Sequence, residues 1–132
     1  MSNIDAAEAL NQVAASLGEA SYVATVGPIR GRLMTANGTA TTNGTEVVNS
    51  GGSTYASQDV GAAITSVAAL PVTTSAAVTW TNLPTGTVAG LELWDSAGTP
   101  KRKLFGALAA SKAVTLGDSL SIAAGALSVT TG

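Results

Sequence analysis

Three carboxylates near the tryptophans are the side chains of this sequence best suited to chemistry. Glu92 and Asp95 lie on either side of Trp94, and Asp118 follows in a Gly-Asp turn. Two carboxyl groups beside an aromatic platform could in principle hydrolyse a glycoside. However, Glu92 and Asp95 are three residues apart on a predicted strand and so face opposite sides, and aspartate is ordinary in such a turn. The pattern predicts that the protein is not an enzyme.

The residue types that usually carry catalysis or bind metals are scarce. The 132 residues include no histidine and no cysteine, which removes the usual general base at neutral pH, the thiol nucleophile and the commonest transition-metal ligands. Glu46 and Asp59 are isolated acids, so nothing resembles the spaced ligands of a calcium loop. Gly51-Gly52 lacks the lysine and the following helix of a phosphate loop. We therefore predict no catalytic residue, no metal and no cofactor.

Charge and hydropathy argue against two classes of partner. The chain has 6 basic and 8 acidic residues, whereas a surface that binds nucleic acid needs clustered lysine and arginine. No apolar run approaches the roughly 20 residues that cross a bilayer, and the N-terminus carries acids instead of the basic start of a signal peptide. The expectation is a soluble protein, made in a cytoplasm, that binds neither nucleic acid nor membrane.

The predicted surface is unusually poor in charge. Charged residues make up 11% of the chain, less than half of the usual quarter. The surface must then consist largely of alanine, threonine, serine and glycine. This is typical of a protein packed against neighbours, and an ordinary threonine-rich β-sandwich is the alternative.

The stretch 76–108 is the centre of the predicted fold, because it contains both tryptophans and the only phenylalanine. Three runs within it alternate in polarity, and prolines and glycines separate them, which predicts three antiparallel strands in a meander. The runs are Val78–Trp80, Val88–Asp95 and Arg102–Gly106. We expect Trp80 and Leu91 to be buried.

Shorter strand-like runs lie on both sides of this centre, with turn residues every eight to twelve positions. They cover residues 29–35, 46–48, 112–116, 120–122 and 127–130. We also predict a strand over Ala62–Pro71, because its β-branched content favours a strand, although its apolar residues are three apart as on a helix. The pattern predicts a mainly β protein, an antiparallel β-sandwich or barrel-like meander with one N-terminal α-helix.

The segment from Ser2 to Leu17 is the one good helix candidate. Ser2 is placed to cap its start and Gly18 to end it. About 15 residues at 1.5 Å each are too short to be stable alone, so the helix must dock on its own sheet or on a neighbouring subunit. Its apolar side chains are the first predicted interface residues: Ile4, Leu10, Val13 and Leu17. The predicted division is a docking helix over 1–18 and a single β-sandwich domain over 19–132.

Lys101, Arg102 and Lys103 form the one cluster of positive charge in the sequence. Such a cluster can be a solvated hairpin end that blunts an edge strand. Alternatively, it can make an ionic contact to an acidic partner surface. We add these three residues to the candidate interface, together with Trp94, which shares a strand face with Glu92 and is a possible exposed anchor.

A set of turn and core segments is similar in order and spacing to a known family. The segments are Leu33–Thr39, Gly44–Val47, Gly51-Gly52 with Tyr55-Ala56, Thr81–Pro84, Leu91–Asp95 and Gly117–Val129. They resemble a family of small virion proteins of tailed bacteriophages, described as head-decoration, minor tail or tail-fibre-like. The resemblance covers about residues 33–130 and leaves the N-terminal helix outside. It implies a β-rich structural protein.

The resemblance also implies a function. The expectation is a non-enzymatic virion component, made in the host bacterial cytoplasm, with capsid decoration on the outer head surface first, because the sequence has no long coiled coil or collagen-like shaft. The alternative is a minor tail or tail-fibre-like protein that recognises a host surface glycan through Trp80, Trp94 or Tyr55. Low charge predicts self-association, and the threefold positions of decoration proteins favour a trimer bound to the major capsid protein or another virion protein.

Overall fold

The computed structural model describes residues 3–64, 67 and 71–129. Over these residues the fold is mainly β with antiparallel sheets and a single helix near the N-terminus, which confirms the predicted class. The elements are β1 (Asn3–Ile4), α1 (Ala6–Ser16), β2 (Arg30–Ala36), β3 (Thr45–Glu46), β4 (Gln58–Asp59), a 3₁₀ turn (Gly61–Ala63), β5 (Val72–Thr73), β6 (Val78–Trp80), β7 (Gly86–Trp94), β8 (Arg102–Val114), β9 (Leu120–Ile122) and β10 (Ser128–Val129). Among the described residues, no helix has the length and apolar character needed to cross a membrane.

The large sheet is built around the β7–β8 hairpin. Its strand order is β1-β8-β7-β2-β3, and β4 also pairs with β2. Leu33 on β2 lies opposite Leu91 on β7. The two small sheets are β5 with β10 and β6 with β9. The buried core that they share with the large sheet contains Val78, Trp80 and Leu120 of the β6–β9 sheet and Leu127, which directly precedes β10. The leucines of β7 thus face this shared core.

The predicted meander is confirmed for β7 and β8 and is wrong for β6. Strand β6 pairs with β9, with Trp80 opposite Leu120, instead of with β7. The chain turns away after β6 at Asn82, which has φ +49°. Leu83 then donates its backbone N–H to Asp118 and accepts one from Gly117, at 2.9 Å each. These contacts direct β6 toward β9.

Trp80 is fully buried at the centre of the core, and Leu91 is 3% exposed, as predicted. The Trp80 indole Nε1 donates to the Gly31 carbonyl at 3.0 Å. A Cβ at Gly31 would lie 2.9 Å from the Trp80 ring and 2.6 Å from Val60 Cγ2, so only glycine allows this close approach. The indole therefore fixes the distance between β6 and β2.

The helix prediction is correct in existence and wrong at its start. Residues 3–4 form β1, with Ile4 opposite Leu104, and the Asp5 backbone N–H donates to the Lys103 carbonyl at 3.0 Å. Asp5, instead of Ser2, caps the helix, since its Oδ1 accepts from the Ala7 N–H at 2.9 Å. The pairing with β8 holds the preceding residues extended. Gly18, at φ +72°, follows the end of the helix.

Two further predicted strands differ from the structure. The strand predicted over Ala62–Pro71 falls on a 3₁₀ turn at Gly61–Ala63 and otherwise largely on residues 65–66 and 68–70, which lie outside the described residues. The separate strand predicted over 112–116 is instead the end of β8, a 13-residue strand whose pairing with β7 shifts register between Val88 and Gly90. A bulge of this kind hides the continuity of a long strand from its sequence pattern.

We expect Trp80→Ala to lower the free energy of unfolding by about 3–5 kcal/mol, because it removes a fully buried aromatic ring and its hydrogen bond to Gly31. Chemical denaturation measures this loss. Thr79→Ala is the matched control: Thr79 is an exposed neighbour whose hydroxyl lies 2.9 Å from the Ser121 hydroxyl, and its loss should cost about 1 kcal/mol or less. Equal costs for the two variants would contradict this description of the core.

Candidate protein interface

Arg102 begins β8, and its guanidinium lies beside Glu92, on the face of the large sheet opposite the leucines of β7. We call this face the second face of the large sheet. The Arg102 side chain is 1% exposed. Nε and Nη2 donate to Asp5 Oδ2 at 2.9 and 2.7 Å, and Nη1 donates to Glu92 Oε1 at 3.0 Å. Nη1 and Nη2 also donate to the carbonyls of Thr42 and Thr39. All five N–H donors of the guanidinium thus have acceptors.

Glu92 is 1% exposed and is equally well satisfied. Its Oε1 accepts from the Gly44 backbone N–H at 2.7 Å as well as from Arg102. Its Oε2 accepts from the Trp94 indole at 2.9 Å. A buried carboxylate is tolerated when paired and fully hydrogen-bonded, so these contacts explain a glutamate in the middle of a central strand.

A second ion pair holds the helix α1 on the sheet. Lys103 Nζ donates to Glu8 Oε2 at 2.7 Å and lies 3.9 Å from Asp95 Oδ2. Glu8 Oε1 also accepts from the Tyr22 hydroxyl at 2.7 Å and the Gln12 amide at 3.2 Å. Burial raises the pKa of Glu8, but the hydrogen bonds from Lys103, Tyr22 and Gln12 outweigh it, and the pKa falls below its ordinary value of 4.5.

We call Asp5, Glu8, Glu92, Arg102 and Lys103 the ionic anchor. In the basic cluster, Arg102 and Lys103 form ion pairs with carboxylates of their own chain. The expectation of a solvated hairpin end is therefore wrong for both, and of the three residues only Lys101 is exposed. One sequence signal was missed. Asp5 and Glu8 are three residues apart, which is about one helical turn, and their negative charges are opposite to the positive charges of the adjacent Arg102 and Lys103.

The anchor turns the polar face of α1 inward and leaves its large apolar side chains outside. Glu8 is 7% exposed, whereas Leu10 and Leu17 are both 70% exposed and Val13 is 54% exposed. Soluble proteins usually orient such a helix the other way. Three of the predicted interface residues therefore do lie on the surface, and Ile4, in β1, is half-buried.

An irregular segment, residues 20–26, continues this apolar surface. Asn11 clamps it to the helix, since its amide accepts from the Val23 N–H at 3.0 Å and donates to the Val23 carbonyl at 3.2 Å. Its exposed apolar side chains are Tyr22, Val23 and Val26. A groove of about 750 Å³ lies between α1, this segment and the turn that joins β7 to β8. We call the exposed residues Leu10, Val13, Leu17, Tyr22, Val23 and Val26 the N-terminal surface.

The three aromatic side chains predicted as glycan contacts lie in different environments. Trp80 is fully buried and Tyr55 is 7% exposed, so neither is available to a glycan. The Tyr55 hydroxyl donates to Glu46 Oε1 and accepts from the Leu33 N–H, and burial, with the nearby Glu46 carboxylate, raises its pKa. Trp94 is half-buried, with the Arg32 guanidinium 4.3 Å from its ring centroid.

The carboxylates near the tryptophans all accept hydrogen bonds from their own fold. Asp95 Oδ1 accepts from the Lys101 N–H at 2.7 Å, and Asp118 Oδ2 accepts from the Thr115 N–H at 2.9 Å, as expected for turn residues. Over residues 3–64, 67 and 71–129, no group of three or more acidic side chains could hold a metal ion. These hydrogen bonds of Asp95 and Asp118 therefore hold turns of the fold in place.

Comparison with known proteins supplies the family. A family model described as podophage GP4 fiber I protein gp80 matches residues 1–130. The chain belongs to this family. The predicted resemblance to a family of phage virion structural proteins is thereby confirmed. No curated protein and no solved structure matches the chain.

The family match also corrects the extent of the resemblance. The sequence segments begin at Leu33, whereas the family match begins at residue 1 and includes β1 and α1. The helix is therefore part of the region that defines the gp80 family and is not an addition to it. The same holds for Asp5 and Glu8, which connect the helix to β8.

We expect Arg102→Ala to lower the free energy of unfolding by about 3–5 kcal/mol, because it leaves the buried Glu92 carboxylate and the half-buried Asp5 carboxylate without their counter-charge. Lys101→Ala is the matched control: it removes an exposed positive charge from the adjacent residue and should change the value by about 0.5 kcal/mol or less. Urea denaturation of both variants tests the assignment. Similar small losses would show that Arg102 does not anchor the fold.

The pair of Glu8 and Lys103 predicts an acid dependence. The folded-state pKa of Glu8 is lowered, so its stabilising contribution is fully present above the unfolded-state value of 4.5 and is lost as pH falls through the folded pKa. The difference in unfolding free energy between the wild type and Glu8→Gln should therefore shrink as pH falls below 4.5. Denaturation at a series of pH values measures it. A difference that stays constant would contradict the ion pair.

Proposed function

We propose that this protein is a non-enzymatic structural subunit of a phage tail fibre that assembles through its N-terminal surface. One observation carries the proposal: the carboxylates beside the tryptophans are engaged in the fold, while the large apolar side chains of α1 remain outside. Hydrolysis of a glycoside by a pair of carboxyl groups needs acidic side chains that are free to act on the substrate. A subunit of an assembly needs an exposed apolar surface.

The ionic anchor supports a structural role in a second way. It holds α1 through Asp5 and Glu8, each paired with a side chain of β8 at 2.7 Å. The N-terminal surface is therefore presented from the central sheet at a fixed position. Rigid presentation lowers the entropic cost of binding, because little has to be ordered when the partner arrives.

The family description favours a fibre over the outer head surface. Capsid decoration, the first expectation from the sequence, is here the second candidate. The 11 residues of α1 support decoration, because a helix this short provides no fibre shaft. In a fibre, a helix this short suits a module that is attached to the fibre at one end. Of the three aromatic side chains predicted as glycan contacts, Trp94, half-buried at the end of β7, is then the one best placed to contact a host glycan.

Immunogold labelling of purified virions tests the location. Antibody raised against the folded protein should label the tail fibres and leave the heads unlabelled. Label distributed over the head would favour decoration and contradict the fibre proposal. The matched control is an antibody against the major capsid protein on the same grids, which should label heads alone.

The same purified protein tests the absence of catalysis. Incubation with host cell wall and surface polysaccharide should release no reducing ends. Release that disappears in Glu92→Gln or Asp118→Asn would overturn the non-enzymatic part of the proposal. Glu92→Gln keeps the shape of the side chain but removes the charge that pairs with Arg102, so circular dichroism must show that the variant is folded before the assay.

A further inference from the structure

The apolar residues on the outer side of α1 have the spacing of a coiled-coil seam. Ala6, Leu10, Val13 and Leu17 are separated by four, three and four residues, which is the alternation of a and d positions in a heptad. Within one chain the three large side chains of this stripe contact solvent, with exposed fractions of 70% for Leu10, 54% for Val13 and 70% for Leu17. Ala6 is half-buried, and Leu17 directly follows the last residue of α1. The stripe has the pattern of a packed seam without its packing partner.

We propose that the α1 helices of several copies of this chain pack against one another through this stripe. The inference goes beyond the proposed function, because a fibre subunit or a decoration protein can bind its site as a monomer. The occupant is a further copy of the same helix, since a heptad seam is complementary to itself.

The charges on the helix favour an identical partner. The residues that flank the seam at the e and g positions are small and uncharged: Ala7, Ala9, Ala14 and Ser16. Identical helices with charged flanks of one sign would repel each other. Here the acidic Glu8 lies at the f position, away from the seam, and is neutralised by Lys103. The helices can therefore approach to the usual 8–10 Å without like-charge repulsion.

The ionic anchor makes such a short seam usable. An isolated helix of 11 residues is only marginally stable in water. Without other contacts, the helix would therefore have to fold when the copies associate, and a seam of fewer than two heptads would have to supply the free energy for this. In this chain Asp5 and Glu8 already hold the helix in place with the stripe outward. The exposed Tyr22, Val23 and Val26 lie beside the helix and extend the apolar area.

The residue types at the seam favour three strands over two. Leu10 and Leu17 occupy a positions and the β-branched Val13 occupies a d position. Leucine at a with a β-branched residue at d shifts parallel coiled coils from dimers toward trimers and tetramers. A trimer is the arrangement we propose on the residue types of the seam.

Light scattering on the full chain after size-exclusion chromatography tests the proposal. The wild type should have the mass of three chains of 12.9 kDa. Val13→Asp should have the mass of one chain, because it places three carboxylates in the seam. Val48→Asp is the matched control: Val48 is 77% exposed outside the helix, so the same substitution there should leave the mass of three chains.

Cysteine cross-linking locates the contact independently. The chain has no cysteine, so Val13→Cys and Val48→Cys each introduce a single thiol. Mild oxidation should link copies of Val13→Cys within the assembly and leave Val48→Cys unlinked. Cross-links of equal yield in both would overturn the seam.

Three outcomes of the mass measurement would also overturn the proposal. A monomeric wild type would assign the N-terminal surface to a different virion protein. An unchanged mass in Val13→Asp, with native circular dichroism, would place the contact elsewhere. A mass of two chains would exclude the three-stranded form. None of these outcomes depends on where antibody labels the virion, so the fibre proposal stands or fails separately.

Discussion

The guanidinium of Arg102 is the group on which the second face of the large sheet depends. It connects β8 to β7 through Glu92, to the start of α1 through Asp5, and to the loop after β2 through two carbonyls. Desolvating these charges is costly, and the cost is offset only when every donor and acceptor finds its partner. The loop must therefore close over the sheet and Asp5 must reach β8 for the arrangement to be stable.

The orientation of the helix follows from that requirement. Asp5 must contact Arg102 and Glu8 must contact Lys103, so the side of α1 that carries these acids faces the sheet. The leucines, on the other side, are left in water. Ordinary hydrophobic burial would rotate the helix, but on the first turn Glu8 has three hydrogen-bond partners that such a rotation would break. The electrostatic contacts decide the rotation here.

The sequence predicts the parts of the fold that depend on local pattern. Alternation in Val78–Trp80 and Val88–Asp95 identifies the strands β6 and β7, with Trp80 and Leu91 buried, because the pleat alternates side chains. Strand partners and the start of α1 depend instead on contacts between distant residues. The pairing of β6 with β9 has no local signature, and the complementary charges of Asp5 and Glu8 with Arg102 and Lys103 do not by themselves show that these distant residues meet. For the same reason the exposed interface candidates Leu10, Val13 and Leu17 could be identified, whereas the internal role of Arg102 could not.

The long distance along the chain between Asp5 and Arg102 also fixes an order of events during synthesis. The two residues are separated by 97 positions. A ribosome that adds about 5–20 residues per second needs several seconds after Asp5 to reach Arg102. During that interval the N-terminal segment has no counter-charge for its acids and is too short to remain helical alone. The helix therefore becomes ordered only after the β7–β8 hairpin has emerged, so that nascent chains do not display a formed apolar stripe before the domain that carries it is nearly complete.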